Sequence, residues 1–261
     1  MNYLLGIDIS HWQGEFDWAK AKAAGAKFAY IRAGSINSET GICYKDYQFD
    51  RNIEMGPSFL PCGAYFFSRP KYSGGKQADY FNGLILGKKL LLPPWADCEV
   101  AGATYAIVRS NTKSFVQNID PKPDIYTRVS YWDSVIGVQP WAEMFKSALA
   151  RYSNILTHPW SDGYYESKQW SLEDVRWWQW SADGNGRGAE FGATGSKSID
   201  LDRFMGTEAE FNKLVGVEED PEPNPNPGEM ELRVAVLEDN VSRIDDTIFS
   251  MQKLFTQLGD V

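Results

Sequence analysis

Residues 4–33, LLGIDISHWQGEFDWAKAKAAGAKFAYIRA, decide the fold. Two apolar runs, residues 4–9 and 28–33, bracket an amphipathic segment at 17–24. That is the sequence pattern of a strand, a crossover helix and a second strand. The pattern continues outward. Further strands are expected at residues 62–67, 95–100, 124–127, 148–152, 176–180 and 198–201, with helices at 44–55, 76–86 and 104–119. Strands alternating with helices argue for a parallel sheet with crossovers. About eight strands with four or five helices fit an irregular TIM-like β/α barrel that lacks some late helices. An open doubly wound sheet is the competing α/β fold, but no G-x-G-x-x-G follows the first strand. The GNGRG run at 184–188 lies late, between strands, and reads as turn chemistry.

The composition changes near Val217. EEDPEPNPNPG, residues 218–228, alternates proline with Glu and Asn, which suits neither helix nor ladder and makes an extended linker. Beyond it, Met230, Val234, Leu237, Val241, Ile244, Ile248, Met251, Phe255 and Leu258 follow alternating steps of four and three. This heptad seam predicts a coiled coil, and β-branched Val234, Val241 and Ile248 at the a positions favour a parallel assembly of few strands. The expected organisation is a barrel over residues 1–216, a linker at 217–229 and an oligomerisation helix at 230–261, so the chain is expected to be a homo-oligomer. A single amphipathic helix docked on its own body is the alternative.

The net charge of −9 argues against nucleic acid as a main partner, because phosphate neutralisation needs a clustered basic surface. Cys43, Cys62 and Cys98 allow at most one disulfide and read as free, partly buried thiols. With only His11 and His158, no histidine-rich metal cluster is expected, and no cofactor is implied. MNYLLGIDIS has neither a basic start nor a long apolar run, so it does not read as a signal peptide, and no run reaches the length of a membrane span. The expected place of synthesis is the cytoplasm, without membrane association. The 10 Trp, 13 Tyr and 14 Phe support either a large aromatic core or a groove whose flat faces suit sugar rings.

Barrel active sites lie at the C-terminal ends of the strands. Read that way, the first strand contributes Asp8, the fourth Asp97 and Glu99, and the last Asp200 and Asp202. On a strand Asp97 and Glu99 share a face, with Cα atoms about 6.5 Å apart and Cys98 turned away. Crowded carboxyls raise one another's pKa, leaving an acid beside an ionised partner, as glycoside hydrolysis requires. The alternatives are a Mg²⁺- or Mn²⁺-dependent phosphoester hydrolase using the same oxygens, or a barrel that binds a polysaccharide without cutting it. Tyr65, Tyr126, Trp178 and Trp180 are candidate sugar contacts, with plain core packing the competing reading for each Trp.

Six segments in order carry a resemblance: G-I-D-I-S-H-W-Q-G (6–14), A-G-x-x-F-A-Y-I-R-A (24–33), D-x-x-F-x-x-N (46–52), W-A-D-C-E (95–99), W-Q-W-S (178–181) and I-D-L-D-R-F (199–204). Together they resemble family-25 glycoside hydrolases, the Chalaropsis-type lysozymes, over roughly residues 3–206. The resemblance implies a β/α barrel with a reduced set of helices. It also implies an N-acetylmuramidase that cuts the β-1,4 bond between N-acetylmuramic acid and N-acetylglucosamine in bacterial peptidoglycan. Glu99 matches the general acid and Asp97 its partner; Asp8 and Asp200 match two further acidic positions, whereas Asp202 falls where the family often has Asn. Nucleophile, inverting base and substrate assistance stay open as mechanisms. Many relatives carry His where this chain has Phe66, so subsite polarity near the third strand is expected to differ. The linker and helix suggest a phage or prophage endolysin, made in the host cytoplasm and acting at the cell wall after release.

Overall fold

The computed structural model describes residues 3–152, 157–161, 163 and 166–217. The linker and the coiled-coil helix expected beyond Val217 lie outside the described residues. Nine strands form one sheet: β1 (Leu4–Ile9), β2 (Phe28–Ile36), β3 (Cys43–Lys45), β4 (Cys62–Phe67), β5 (Trp95–Asp97), β6 (Asp124–Arg128), β7 (Ser147–Ala150), β8 (Val175–Ser181) and β9 (Asp200–Phe204). Their order is β1-β9-β8-β7-β6-β5-β4-β2-β3, and pairing of β1 with β2 closes all but β3 into a barrel. The helices are α1 (Trp18–Ala23), α2 (Phe49–Met55), α3 (Gly74–Ile85), α4 (Tyr105–Gln117), α5 (Val129–Tyr131) and α6 (Glu208–Leu214).

The opening segment folds as its pattern dictates. β1 and β2 pair in parallel, Gly6 opposite Phe28 and Asp8 opposite Tyr30. Between them Asp17 starts α1 by accepting hydrogen bonds from the Ala19 and Lys20 amides.

Three expectations need correcting. The predicted helix at 44–55 begins only at Phe49, because Cys43–Lys45 pairs antiparallel with the extended end of β2. β5 stops at Asp97, so Glu99 lies beyond the strand. The last strand starts at Asp200 and runs antiparallel to both β1 and β8, so the sheet is mixed. A parallel return would need a crossover of a dozen or more residues, usually a helix, down the outside of the barrel. The 182–199 segment instead stays at one end. Gly192 O accepts from the Asp17 amide, and the Thr194 and Gly195 amides donate to Gln13 O.

Strand alternation sorts the side chains into two cores. Ile7, Ile31, Phe66, Phe81 and Phe115 fill the space between barrel and helices. Phe28, Tyr30, Trp95, Tyr126, Trp177 and Phe204 fill the barrel itself. Tyr30 stacks on Trp95 with ring centroids 3.5 Å apart. Lower down, Asp124 is gripped through both oxygens by Arg176 and accepts from the Trp177 indole at 2.8 Å.

The interior rings fit because two inward positions are glycine. A Cβ on Gly6 would lie 2.1 Å from the Phe28 ring, and one on Gly63 would lie 2.4 Å from the Tyr30 ring. Gly6→Ala is therefore expected to destabilise the protein by about 1–3 kcal/mol through overpacking. Urea unfolding measures it, and an unchanged midpoint would mean that the Phe28 ring has room to move aside.

Candidate active site

The polar inward residues gather at one end of the barrel. Asp8 from β1, Arg32 from β2, Tyr65 from β4, Asp97 from β5, Tyr126 from β6, Gln179 from β8 and Asp200 from β9 line a cavity of about 210 Å³ with Glu99 and Trp12. All but Asp200 sit at or near the C-terminal ends of parallel strands. Asp200 reaches the same mouth as the first residue of an antiparallel strand, directly opposite Asp8. The four predicted carboxylates are thus brought together, one of them by a different route from that expected.

Glu99 stays in the mouth although β5 has ended. Cys98 N donates to Tyr126 O at 2.8 Å, Ser68 Oγ to Asp97 O at 2.7 Å and Thr127 Oγ1 to Cys98 O at 2.6 Å. These bonds hold the chain through the turn that presents Glu99.

Burial governs the electrostatics. Asp97 is 3% exposed, and its Oδ1 has no hydrogen-bond partner among the described residues. Burial, then the charges of Glu99 and Asp8, push its pKa well above the usual carboxylate range, against the pull of Arg32 and Arg128. Glu99 is raised by burial and pulled down by Arg128. Asp8 is pushed up to about 6 by burial, although Gln179 and Asp200 donate to it. Asp200, raised to about 9 by burial and by the Asp8 charge, keeps its proton and gives the hydrogen bond to Asp8. At neutral pH the cluster therefore holds fewer charges than carboxyls.

Neutral donors orient Asp8. Gln179 Nε2 donates to Asp8 Oδ2 at 2.6 Å. Its Oε1 accepts from the Tyr126 hydroxyl at 2.9 Å and the Tyr152 hydroxyl at 3.1 Å. On the other side, buried Asp46 receives Arg32 Nε and His11 Nδ1, each at 2.8 Å. Burial alone would raise Asp46, but Arg32 and His11 outweigh it and hold the carboxyl below its ordinary value.

Of the predicted sugar contacts, Tyr65 and Tyr126 line the cavity, but Trp178 and Trp180 do not. Inward and outward positions alternate along β8, with Trp177 and Gln179 inside. Trp178 is fully buried on the outer side and donates its indole N–H to Arg151 O at 2.7 Å. Trp180 packs against the helix-side core. Phe66 also points outward, onto Phe81 and Phe115, so its departure from the family pattern leaves the mouth untouched. Trp12, 66% exposed, is the aromatic face that sequence reasoning missed. Arg32 could have been found by alternation from Phe28 and Tyr30; Asp46 and His11 leave no periodic signal. Among the described residues, no group of three or more His, Cys, Asp or Glu is arranged to hold a metal ion.

Asp202 lies inside the barrel below Asp8, 0% exposed, with no hydrogen-bond partner on either oxygen among the described residues. Burial, then Asp8 and Asp200, raise its pKa well above the ordinary 3.8. A raised carboxyl contributes stability that is fully present below its unfolded pKa and is lost as pH rises toward the folded value. Asp202→Asn should therefore gain stability relative to wild type as pH is raised from 4 to 8. Denaturant midpoints across that range measure it; a difference that does not grow with pH would show that Asp202 ionises normally.

The glycosyl hydrolases family 25 model matches residues 7–189. Lysozyme M1 of Streptomyces globisporus is 34% identical over 148 residues, covering 51% of this chain and 49% of that protein. The chain thus spans about half the length of that relative. N,O-diacetylmuramidase of Chalaropsis sp. is 31% identical over 147 residues, covering 51% of this chain and 69% of that protein. The crystal structure of the bacterial lysozyme from Streptomyces coelicolor superposes with a TM-score of 0.63 at 27% identity, covering 83% of this chain and 97% of that one. A closed barrel with its acidic mouth and a match through most of the described body lead to one assignment: the chain belongs to family 25 of the glycosyl hydrolases.

Proposed function

We propose that this protein is a peptidoglycan hydrolase, an N-acetylmuramidase that cleaves the β-1,4 bond between N-acetylmuramic acid and N-acetylglucosamine. One observation carries the reading: Asp8, Asp97, Glu99 and Asp200 converge from three strand ends on a single half-dry mouth. Relatives named as lysozyme and diacetylmuramidase support it.

The geometry divides the labour. Glu99 is only partly buried, with a side chain 23% exposed, so its proton can reach a glycosidic oxygen lying across the mouth. Asp97 sits behind it, buried, and its own affinity for a proton keeps Glu99 from facing a full negative charge. Asp8, ionised above about pH 6 and held by Gln179, faces the sugar as the fixed negative charge that an oxocarbenium-like centre needs. Tyr65, Tyr126 and Trp12 offer ring faces and hydroxyls to the sugars on either side.

The wider role rests on the sequence beyond the barrel. Residues 217–229 are proline-rich and residues 230–261 carry a heptad pattern, and we assign to the latter the joining of several barrels into a homo-oligomer. Tethered heads raise effective concentration on a repetitive wall without new contacts. A phage or prophage endolysin, released to the wall at lysis, fits this design.

Digestion of purified peptidoglycan, borohydride reduction and mass spectrometry of the new ends form the test. Wild type should produce reduced muramic acid ends, and Glu99→Gln should lower their rate by about 10²–10⁴-fold, the worth of a general acid. Reduced glucosamine ends would overturn the bond assignment. No ends from wild type on several wall types, with the protein still bound to the wall, would make it a binding barrel. Light scattering of the full chain and of a chain ending at Val217 addresses assembly: only the full chain should exceed a monomer, and two monomers would remove the multivalent role.

A further inference from the structure

The ladder that carries Asp97 ends one residue short of Cys98, yet the next carbonyls are all engaged by side chains from the neighbouring strand and turn. Thr127 takes Cys98 O at 2.6 Å, Arg128 Nη2 takes Glu99 O at 2.9 Å and Tyr131 takes Val100 O at 2.6 Å. Arg128 differs from the other two because it makes a second contact, its Nε lying 3.2 Å from Glu99 Oε2. One planar fork therefore spans the backbone and the carboxylate of the same residue, a geometry that a flexible ammonium does not reproduce.

We propose that Arg128 is a positioning residue for Glu99, fixing the acid's backbone and carboxylate at the rim of the mouth and setting the balance between its charged and protonated forms. The inference rests on the reading of Glu99 as the acid. The end of the ladder places Arg128 there: Asp97 pairs with Tyr126 in the last rung and Cys98 N still donates to Tyr126 O, so Glu99, just past β5, emerges beside Arg128 at the end of β6. The Arg128 side chain is 50% exposed, so the attraction is screened and modest, and substrate or a proton can release it.

Arg32 lines the same mouth but acts on Asp97; among the described residues, the other groups interacting with Glu99 are acidic or neutral. They are Asp97 on β5, Asp8 on β1, Asp200 on β9, and the phenols of Tyr126, Tyr131 and Tyr152. Burial lifts Glu99 above its ordinary value, and the guanidinium is the force working the other way. Removing it should leave an acid that holds its proton more firmly but is less well aimed.

The direct test is a carboxylate ¹³C NMR titration of full-length protein labelled at glutamate, with Glu99 assigned through Glu99→Gln. In Arg128→Gln the Glu99 midpoint should move to higher pH, and in Arg128→Lys it should return toward wild type. Peptidoglycan turnover read alongside should show the alkaline limb of kcat/KM moving up with the midpoint in Arg128→Gln. Both variants should lose roughly ten- to a hundredfold in kcat, because neither keeps the fork. Arg128→Met, which keeps the apolar stem, replaces the Gln variant if that one fails to fold. A Glu99 midpoint unmoved or lowered without the guanidinium overturns the proposal. Absence of turnover in wild type would overturn the glycosidase reading instead, while the titration still decides the role of Arg128.

Discussion

The stacked rings of Tyr30 and Trp95 close the middle of the barrel, and the chemistry above them depends on that closure. Trp95 is also stacked near Tyr126 and edge-on to Trp177, so aromatic rings make up most of the floor of the mouth, with the Asp202 carboxyl set among them. A dry floor disfavours charge, and that is why burial leads every cause that raises Asp8, Asp97, Glu99 and Asp200. The chain of dependence runs back to glycine. Without the missing Cβ atoms at Gly6 and Gly63, the Phe28 and Tyr30 rings could not lie flat inside the barrel.

Two guanidinium groups bracket the acidic strand ends. In the order β6-β5-β4-β2, Arg128 stands on one side of Asp97 and Glu99, and Arg32 on the other. Their anchoring differs. Arg32 is nearly buried and tied to Asp46, whose carboxylate also holds His11, so its charge is a permanent part of the wall. Arg128 is half exposed, and among the described residues its guanidinium is tied only to Glu99. The buried cation limits the repulsion within the cluster, whereas the exposed one holds Glu99 directly and also draws on Asp97.

Much of this was legible in the residues. The β1–α1–β2 unit, the strand at Cys62–Phe67 and the acidic strand ends follow from apolar periodicity and from where a barrel places its chemistry. Other features were not, for identifiable reasons. A strand's pattern has no arrow, so nothing in I-D-L-D-R-F told an antiparallel β9 from a parallel one, although Asp200 faces the mouth in either case. The run V-R-W-W-Q-W is apolar on both faces, so alternation could not say whether Trp177 and Gln179 or Trp178 and Trp180 point inward. The inward pair proved to be one packing residue and one hydrogen-bonding residue, and the exposed ring of the cavity is Trp12, in the short helical turn after β1. Asp46 lies in a loop, where period carries no information about what a carboxylate will bind.

The reversal of β9 also changes what can vary around the mouth. In a fully parallel barrel, the segment after β8 would have to travel to the far end before the next strand could begin. Here Gln179 and Asp200 are joined by a stretch that never leaves the rim and leans on the Gln13–Asp17 turn. The sheet register of β8 and β9 fixes the two side chains, and the rim segment between them is pinned by backbone hydrogen bonds to the Gln13–Asp17 turn and by the buried Phe191 and Ile199 side chains. Exchange is easiest at its exposed positions, 185–187 and 189–190, away from those anchors. This edge of the mouth can therefore change its outer surface while the sheet register keeps Gln179 and Asp200 in place.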